Sequence, residues 1–217
     1  MSNDFDYAHS NKNVVWMSQN TNHLPTHSAI QEAINTSANN REYTKYPLAS
    51  GLPELRELIL DDLNLPEQDL HITNGGTEAL YCLMRHIQPK GTEMITSDPS
   101  YFVVHKFAKL GGAKCTDIPI YHGDYKFDIE DIKNAINPKT RSIFLIDPIN
   151  PLGSTYNKDE KKAICEVAED HDIWLIDDIT YRDYAPNHTL AANILPEKTI
   201  TAYSVSKNCG LAGLRVG

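Results

Sequence analysis

The chain has 217 residues, of which 41% are hydrophobic and 23% are charged, and its net charge is −9. This composition indicates a globular protein of one domain or slightly more, and the acidic balance argues against nucleic acid or an anionic membrane as the main partner. No apolar run approaches the length of a membrane span and the first residues lack a secretory signal pattern, so we expect a cytoplasmic protein.

The first part of the chain predicts an arm followed by two helices. Residues 1–27 are rich in Asn, His and Ser and predict little regular structure. A helix is expected over 28–38 and a second over 52–63, where apolar residues recur at helical spacing. Ser50 is placed to cap the second helix, and Pro53 lies in its first turn.

From residue 70 onward, short apolar runs alternate with helical patterns. The runs at 142–147 and 173–177 do not alternate polar with apolar residues, which is typical of strands buried on both faces of a mostly parallel sheet. The expected strands cover 70–73, 93–97, 114–119, 142–147, 173–178 and 199–205. The expected helices between them cover 77–87, 100–110, 128–136 and 158–170. This alternation predicts a layered α/β domain.

Cysteine and histidine indicate neither a disulfide framework nor a metal site. The four cysteines are scattered, without a Cys-x-x-Cys pair, and disulfides are not expected in a cytoplasmic chain of this size. Cys82 with His86, and His23 with His27, are each about one helical turn apart, but a metal site needs more converging ligands. We therefore expect no metal.

The segment that ends the chain, Ser204-Val-Ser-Lys207-Asn-Cys-Gly-Leu-Ala-Gly-Leu-Arg215-Val-Gly, carries the strongest chemical signal. Lys207 follows a β-branched run and is surrounded by hydroxyls and glycines rather than by the charges of a solvated helix face. A lysine in such a setting can lose its charge and form a Schiff base. The serines and Arg215 supply donors for a phosphate. A lysine beside a phosphate site suggests pyridoxal phosphate.

Residues that follow the other predicted strands are candidates too, because ligands of open α/β sheets bind at the carboxyl ends of strands. Gly75, Gly76 and Thr77 form a turn into a helix that could receive an anion, although a plain helix cap would also explain them. Asn150 is held between two prolines in a rigid turn. Asp178 ends a buried strand, where a carboxylate needs a cationic partner.

In this order, these motifs resemble those of the class I/II aminotransferases, which are fold-type-I pyridoxal-phosphate enzymes. The resemblance implies that Lys207 holds the cofactor covalently and transfers the substrate's α-proton, and that Tyr101 stacks on the ring. It implies that Asp178 contacts the ring nitrogen, while Asn150 and Tyr181 contact the phenolic oxygen. The implied phosphate-binding residues are Gly75, Gly76, Thr77, Ser204, Ser206 and Arg215.

The segment Tyr46-Pro-Leu-Ala-Ser-Gly-Leu-Pro-Glu-Leu-Arg resembles one more motif of this family. There the tyrosine reaches the phosphate of the neighbouring subunit's cofactor, so the resemblance implies a homodimer with shared active sites. A tyrosine packed under a loop is the alternative if the chain is monomeric. The chain departs from the family pattern at Asp147, where Asn is usual, and at Leu152, where Thr is usual. Asp177 is expected at a loop edge or as a capping carboxylate.

The resemblance implies the three-layer, mostly parallel sheet of the cofactor-binding large domain, incomplete at its C-terminus. Residues 1–45 would form the arm and first helix and 46–217 a partial large domain, without the small C-terminal domain and the arginine that usually grips the substrate carboxylate. The implied activity is amino-group transfer between an amino acid and a 2-oxo acid, impaired by truncation. Two alternatives stay open: another fold-type-I enzyme, such as a decarboxylase, β-lyase or synthase, or a non-catalytic fragment that binds the cofactor.

Overall fold

Five parallel strands form the central sheet of the computed structural model, which describes residues 4–217. The strands are β1 (Glu93–Asp98), β2 (Lys114–Pro119), β3 (Thr140–Ile146), β4 (Trp174–Asp178) and β5 (Thr199–Ala202). Their order in the sheet is β2-β1-β3-β4-β5, and every neighbouring pair is parallel. All five carboxyl ends therefore lie at one edge of the sheet, which confirms the predicted mostly parallel α/β architecture.

Helices cover both faces of this sheet. They are α1 (Asp4–Ser10), α2 (Ser28–Asn39), α3 (Pro53–Leu63), α4 (Gly76–Ile87), α5 (Val103–Gly111), α6 (Ile129–Ala135) and α7 (Lys158–Asp170). Side chains from α6 and α7 pack with one set of strand residues in one buried cluster, and side chains from α4 and α5 pack with the other set in a second. The sheet is thus the middle of three layers.

Strands β3 and β4 lie in the middle of the sheet and are buried on both faces. Every residue of β3 except Arg141, and the last four residues of β4, are inaccessible to solvent or nearly so. Side chains alternate between the two faces of a strand. Leu175 accordingly belongs to the cluster beneath α7, whereas Ile176 belongs to the cluster beneath α4 and α5. The same alternation sends Asp177 and Asp178 to opposite faces.

Two expected strands differ from the structure. Residues 70–73 form no strand, because their backbone pairs at isolated points rather than along one partner. The Ile72 N–H donates to Ser50 O, Thr73 exchanges two hydrogen bonds with Gly217, and Asn74 forms a single antiparallel bridge with Val216. The last strand ends at Ala202 rather than at residue 205, because the Ser204 hydroxyl accepts the Ser206 N–H and turns the chain.

Two expectations for the N-terminal part are also corrected. The arm contains the helix α1 at its start, although little regular structure was expected; residues 1–3 lie outside the described residues. Ser50 does not cap α3, whose N-cap is Leu52; the Ser50 hydroxyl instead accepts a hydrogen bond from Arg56. Within residues 4–217, no helix is both long enough and apolar enough to cross a membrane.

Candidate active site

The candidate site lies at the carboxyl edge of the sheet, where the segments after β3, β4 and β5 meet the first turn of α4. Most of the residues singled out from the sequence come together here, because parallel strands bring their following loops to one edge. The segment of residues 18–22, which we call the arm segment, crosses the same place. Tyr46 is separate from this group: its side chain is fully exposed.

Lys207 is half-buried in the segment that follows β5. Its Nζ donates a hydrogen bond to the backbone oxygen of Gln19 and lies 5.9 Å from the centre of the Tyr181 ring. Burial, together with the charge of Arg215, lowers the pKa of the Lys207 ammonium below its usual value. A lowered pKa increases the fraction of free amine near neutral pH, which is the form that reacts with a carbonyl carbon.

Asp178, the last residue of β4, is a buried carboxylate that is 5% exposed. Its Oδ1 accepts the backbone N–H of Thr180 at 3.1 Å, and among residues 4–217 no lysine, arginine or histidine forms an ion pair with it. Burial, with a smaller contribution from the charge of Asp177, raises the pKa of the Asp178 carboxyl to about 6. An ionised carboxylate in this position is stabilised strongly by a cation that enters the site.

Tyr181 and Asn150 face a cavity of about 350 Å³ between the segments that follow β3 and β4. The Tyr181 hydroxyl accepts a hydrogen bond of 2.9 Å from the Asn20 side chain, and burial raises its pKa above the usual value. Asn20, Tyr184 and Pro186 complete much of the wall. The amide of Asn150 and the hydroxyl of Tyr181 are therefore both available to an oxygen atom that is bound at the mouth of this cavity.

The first turn of α4 and the segment after β5 form a corner suited to an anion. Gly75 has a φ of +79°, and a Cβ built there would lie 2.9 Å from Cζ of Arg215, so both its backbone and its neighbour favour glycine. No side chain caps the N-terminus of α4. The Glu78 N–H donates to Gly75 O at 2.9 Å, which leaves the amides of Gly76 and Thr77 to donate to a ligand. The Ser204 hydroxyl donates to that of Ser206 at 2.9 Å on the other side of Gly76, whose added Cβ would meet Tyr203 O at 3.3 Å.

Tyr101 and Thr77 extend this corner towards the segment that follows β1. Their hydroxyl oxygens are 3.5 Å apart, and the Tyr101 ring meets the Phe102 ring edge to face, with centroids 5.9 Å apart. Tyr101 also packs against the buried cluster beneath α4 and α5. The aromatic ring is thus fixed at the edge of the site rather than free in solvent.

No side chain of the arm segment was singled out for the site from the sequence. Gln19 and Asn20 both have positive φ, at 62° and 49°, and they contact Lys207 and Tyr181 as described above. Asn22 fixes the same segment by donating to the backbone oxygen of Asn208 at 3.0 Å. The signal in the sequence was the density of Asn and Gln at 19–22, but a contact across more than 150 residues has no local pattern.

A buried charge cluster directly behind the site was missed as well. Lys161 of α7 is fully buried, with Nζ 2.6 Å from Oδ2 of Asp147 and 3.2 Å from Oδ1 of Asp177. His188 Nε2 lies 3.0 Å from the same Asp147 oxygen. The sequence signal was a lysine in register with Ile164, Cys165 and Ala168, three, four and seven residues on, which line the buried face of the helix.

This cluster changes the interpretation of two carboxylates. Asp177 does not lie at a loop edge: it is fully buried within β4 and accepts the Ala191 N–H at 3.0 Å in addition to its ion pair. Asp147 lies at the start of the turn that carries Asn150, and its Oδ1 accepts the hydroxyl of Thr155 at the end of that turn at 2.7 Å. This hydrogen bond joins the two ends of the turn. Burial acts to raise the pKa of Asp147, but His188 and Lys161 outweigh it and lower that pKa to about 2.

Comparisons with known proteins agree with this arrangement. The profile of the family "Aminotransferase class I and II" matches residues 12–217. An aspartate aminotransferase of Pyrococcus horikoshii is 28% identical over 98% of this chain and 57% of that protein, and one of Bacillus subtilis is 32% identical over 82% and 49%. The structure of Thermus thermophilus aspartate aminotransferase with maleate superimposes with a TM-score of 0.85 and 26% identity, covering 91% of this chain and 54% of that one.

Fold and site together define an enzyme fold that binds pyridoxal phosphate between the ends of parallel strands. The chain belongs to the class I and II aminotransferase family, whose enzymes depend on pyridoxal phosphate. It spans about half the length of the curated relatives that it matches.

The residues present fit this cofactor. Asp178 is a buried carboxylate without a cationic partner in the described chain, as a protonated ring nitrogen requires. The free amides of α4 and the guanidinium of Arg215 fit a phosphate. Lys207 supplies an amine whose pKa is already lowered. Each part of the cofactor therefore finds a matching group at this edge of the sheet.

Proposed function

We propose that this chain is the cofactor-binding part of an aminotransferase that moves an amino group between an amino acid and a 2-oxo acid. In this proposal residues 46–217 form part of the large domain, and residues 1–45 form the arm and first helix. The observation that carries it is the convergence of Lys207, Asp178 and Tyr181 on one place, with Asp178 lacking a cation in the described residues. A cytoplasmic location stays a prediction from the sequence.

Each residue of the site then has a defined task. Lys207 holds the cofactor through its amine and, once released, carries the α-proton of the substrate as general base and acid. Asp178 holds a proton on the ring nitrogen, because a buried carboxylate favours a cation beside it. The cofactor, when bound, supplies the electron sink that stabilises negative charge at the substrate Cα. Asn150 and Tyr181 donate to its phenolic oxygen, and Tyr101 covers one face of the ring.

Six groups would hold the phosphate. The guanidinium of Arg215 neutralises charge, and the amides of the first turn of α4 donate from a helix N-terminus. The phosphate-binding residues in this proposal are Gly75, Gly76, Thr77, Ser204, Ser206 and Arg215. The site would need the hydroxyls of Ser204 and Ser206 to turn towards the phosphate, because at present Ser204 donates to Ser206.

The test is an absorbance titration of the purified chain with pyridoxal phosphate, with Lys207→Ala as the comparison. We expect the chain to develop an absorbance band at the edge of the visible range that Lys207→Ala does not develop. Lys198→Ala is the matched control, because Lys198 is paired with Asp172 away from the site. If the chain and Lys207→Ala give the same spectrum, the cofactor assignment is wrong.

We further propose that the 217-residue chain alone turns over amino acids poorly. A substrate carboxylate needs a cationic partner, and none of the five other arginines within residues 4–217 lines the cavity that Asn150 and Tyr181 face. Arg41 is exposed, and the other four bond elsewhere: Arg56 to Leu70 O, Arg85 to Leu110 O, Arg141 to Pro138 O and Arg182 to Asp62. The names of the relatives make aspartate the first substrate to test. Ready turnover of aspartate with a 2-oxo acid by the chain would contradict this proposal.

A homodimer with shared sites is the third part of the proposal. The fully exposed Tyr46 has the exposed side chains of Tyr43 and Leu48 close in sequence, an apolar set that a second copy could cover. In a dimer Tyr46→Phe would weaken cofactor binding, whereas in a monomer it would not. Sedimentation equilibrium gives the mass directly, and a monomer at micromolar concentration would contradict this part.

Product analysis separates amino-group transfer from the other chemistries that this cofactor site supports. Transfer of the amino group releases a 2-oxo acid and leaves the aminated cofactor in equal amounts. A decarboxylase would release CO₂, and a β-lyase would release ammonia. We propose transfer, because the aminotransferase profile covers residues 12–217.

A further inference from the structure

The buried charge cluster of Lys161, Asp147, Asp177 and His188 has no part in the function proposed so far. Lys161 is fully buried, and its two carboxylate partners are fully buried too. Removing charges from water costs several kcal/mol for each ion, so a chain that only needed a stable core would be served as well by apolar side chains. The position of the cluster, rather than its stability, is therefore informative.

The cluster touches the two segments that present the site. Asp177 directly precedes Asp178 on β4, and Asp147 lies three residues before Asn150. The backbone N–H of Asp147 donates to the carbonyl oxygen of Asp178 at 3.0 Å, so the two strand ends are also joined to each other. Lys161 reaches both from α7, on the face of the sheet opposite to the cofactor.

Lys161 neutralises the charge of Asp177. Asp147 has several partners, including His188, Thr155 and the N–H of Tyr156, but the charge of Asp177 is met by Lys161 alone among the described residues. Its second oxygen receives only the N–H of Ala191. Without Lys161, a buried negative charge would stand next to Asp178 with nothing to neutralise it.

We propose that Lys161 is a positioning residue that neutralises Asp177 and so leaves the Asp178 carboxylate available, as an anion, to the ring nitrogen of the cofactor. This inference rests on the proposed function for its purpose but not for its first test. An unneutralised charge at Asp177 would oppose ionisation of Asp178, since two like charges in a buried site disfavour each other. Asp178 would then hold its own proton and could not stabilise one on the cofactor.

The ionisable groups around this pair are few. On the α7 side of β4, Asp177 faces Lys161, Asp147, Tyr156 and Cys165, with His188 beyond Asp147. On the cofactor side the charge of Asp178 acts on Tyr181. Burial raises the pKa of both Tyr156 and Cys165, so neither changes its charge near neutral pH. Lys207, on the cofactor side, has a lowered pKa, so the titration has to follow the carboxyl signal of Asp178 itself.

The first test follows the ¹³C carboxyl signal of Asp178 through a pH titration of the protein without cofactor. We expect Lys161→Met to raise the titration midpoint by roughly one pH unit, the size of a like-charge interaction over several ångströms. The double substitution Lys161→Met/Asp177→Asn has nearly the same side-chain volume as Lys161→Met but lacks the unneutralised charge of Asp177. It should therefore restore the midpoint of Asp178. Lys162→Met is the control, because Lys162 is exposed and pairs only with Glu166 among the described residues.

If Lys161 had a structural role alone, the loss of packing would be common to the single and the double variant. The double variant would then not restore the midpoint of Asp178. If Asp177 takes up the proton in Lys161→Met and the Asp178 midpoint stays in place, the proposal is wrong. It is also wrong if the midpoint moves and the double variant fails to restore it. Because Met for Lys can unfold the protein, Lys161→Gln provides a second, milder variant with the same expectation.

The second test measures pyridoxal phosphate affinity at pH 7. If the midpoint of Asp178 rises from about 6 to about 7, its anionic fraction at pH 7 falls from roughly nine-tenths to one-half. We therefore expect roughly a twofold loss in Lys161→Met at pH 7, growing to roughly tenfold when the measurement is repeated at pH 5, and recovery in the double variant. If the chain itself does not bind the cofactor while the midpoint of Asp178 moves as expected, the proposed function fails and the coupling between Lys161 and Asp178 stands. If the cofactor binds equally to the chain and to Lys161→Met, the inference fails and the function stands.

Discussion

Asp177 and Asp178 are neighbours on β4, and the two faces of the sheet give them opposite surroundings. On the α7 face, Asp177 is matched by the ammonium of Lys161 and the N–H of Ala191. On the cofactor face, Asp178 receives a backbone N–H from Thr180 and, within the described chain, no cation. Burial is nearly equal, at 0% and 5% exposure. The difference between the two carboxylates is therefore in their partners.

Two successive residues therefore differ in role: Asp177 is neutralised within the protein, whereas Asp178 is left for a ligand. A buried carboxylate with its cation already in place leaves no unmatched charge in the core, whereas one without a cation raises the free energy of the folded protein until a ligand provides the cation. Sites of this kind are less stable than they could be, because the residues are arranged for a ligand rather than for the empty protein.

The largest effect is expected on the α7 face. Lys161→Met leaves Asp177 buried without its cation, and breaking a buried ion pair in this way costs about 3–5 kcal/mol of the free energy of unfolding. Urea denaturation at pH 7 measures it, with Lys162→Met as the exposed control that should change stability by less than about 0.5 kcal/mol. A loss in Lys161→Met as small as in the control would show that the two faces do not differ.

On the cofactor face, substituting the carboxylate is expected to raise the free energy of unfolding rather than lower it. The pKa of Asp178 is raised from 3.8 to about 6 in the folded protein, so the folded state favours the protonated form and ionisation opposes folding. This penalty is absent below about pH 4, develops as the pH rises through about 6, and is complete above it. Asp178→Asn lacks the penalty, and it should be more stable than the parent by roughly 3 kcal/mol at pH 8, at 1.36 kcal/mol for each pH unit.

Urea denaturation at pH 4 and pH 8, without cofactor, tests this second expectation. The gain of Asp178→Asn should be large at pH 8 and should nearly vanish at pH 4, where the parent carboxyl is protonated. Asp177→Asn is the matched variant on the other face and should lose stability at pH 8, because it removes a partner of Lys161. If both substitutions stabilise, Asp177 is not paired as the structure shows.

Much of this fold follows from local pattern, whereas the contrast between the two carboxylates does not. The runs that became β3 and β4 are apolar without alternation, and that property depends only on burial on both faces. Residues 70–73 were also expected to form a strand, but they form none, because a strand requires a partner along its length. Lys161 looks like any helix lysine until α7 is placed against β4. Its pairing with Asp147 and Asp177 depends on three segments meeting, and no single segment encodes that.

The smallest effect is expected where the arm segment covers the cofactor face. Asn20→Ala removes the 2.9 Å hydrogen bond to the Tyr181 hydroxyl, a contact between partly exposed groups that contributes about 0.5–1.5 kcal/mol to holding the segment down. The arm segment lies outside the three buried clusters of the described residues. Global stability should therefore stay unchanged, while amide hydrogen exchange at 18–22 becomes several-fold faster.

Asn22→Ala is the companion variant, because Asn22 fixes the same segment through Asn208 rather than through the cofactor site. Both variants should speed exchange at 18–22, but only Asn20→Ala should alter the titration of Tyr181, whose pKa that hydrogen bond lowers against the stronger effect of burial. Removing the bond should move the phenol to a higher pKa, measured by ultraviolet absorbance difference. If the pKa of the Tyr181 phenol were unchanged in Asn20→Ala, the arm segment would lie over the cofactor face without contacting it. Asp178 and Tyr181 would then be open to a ligand without any movement of the arm segment.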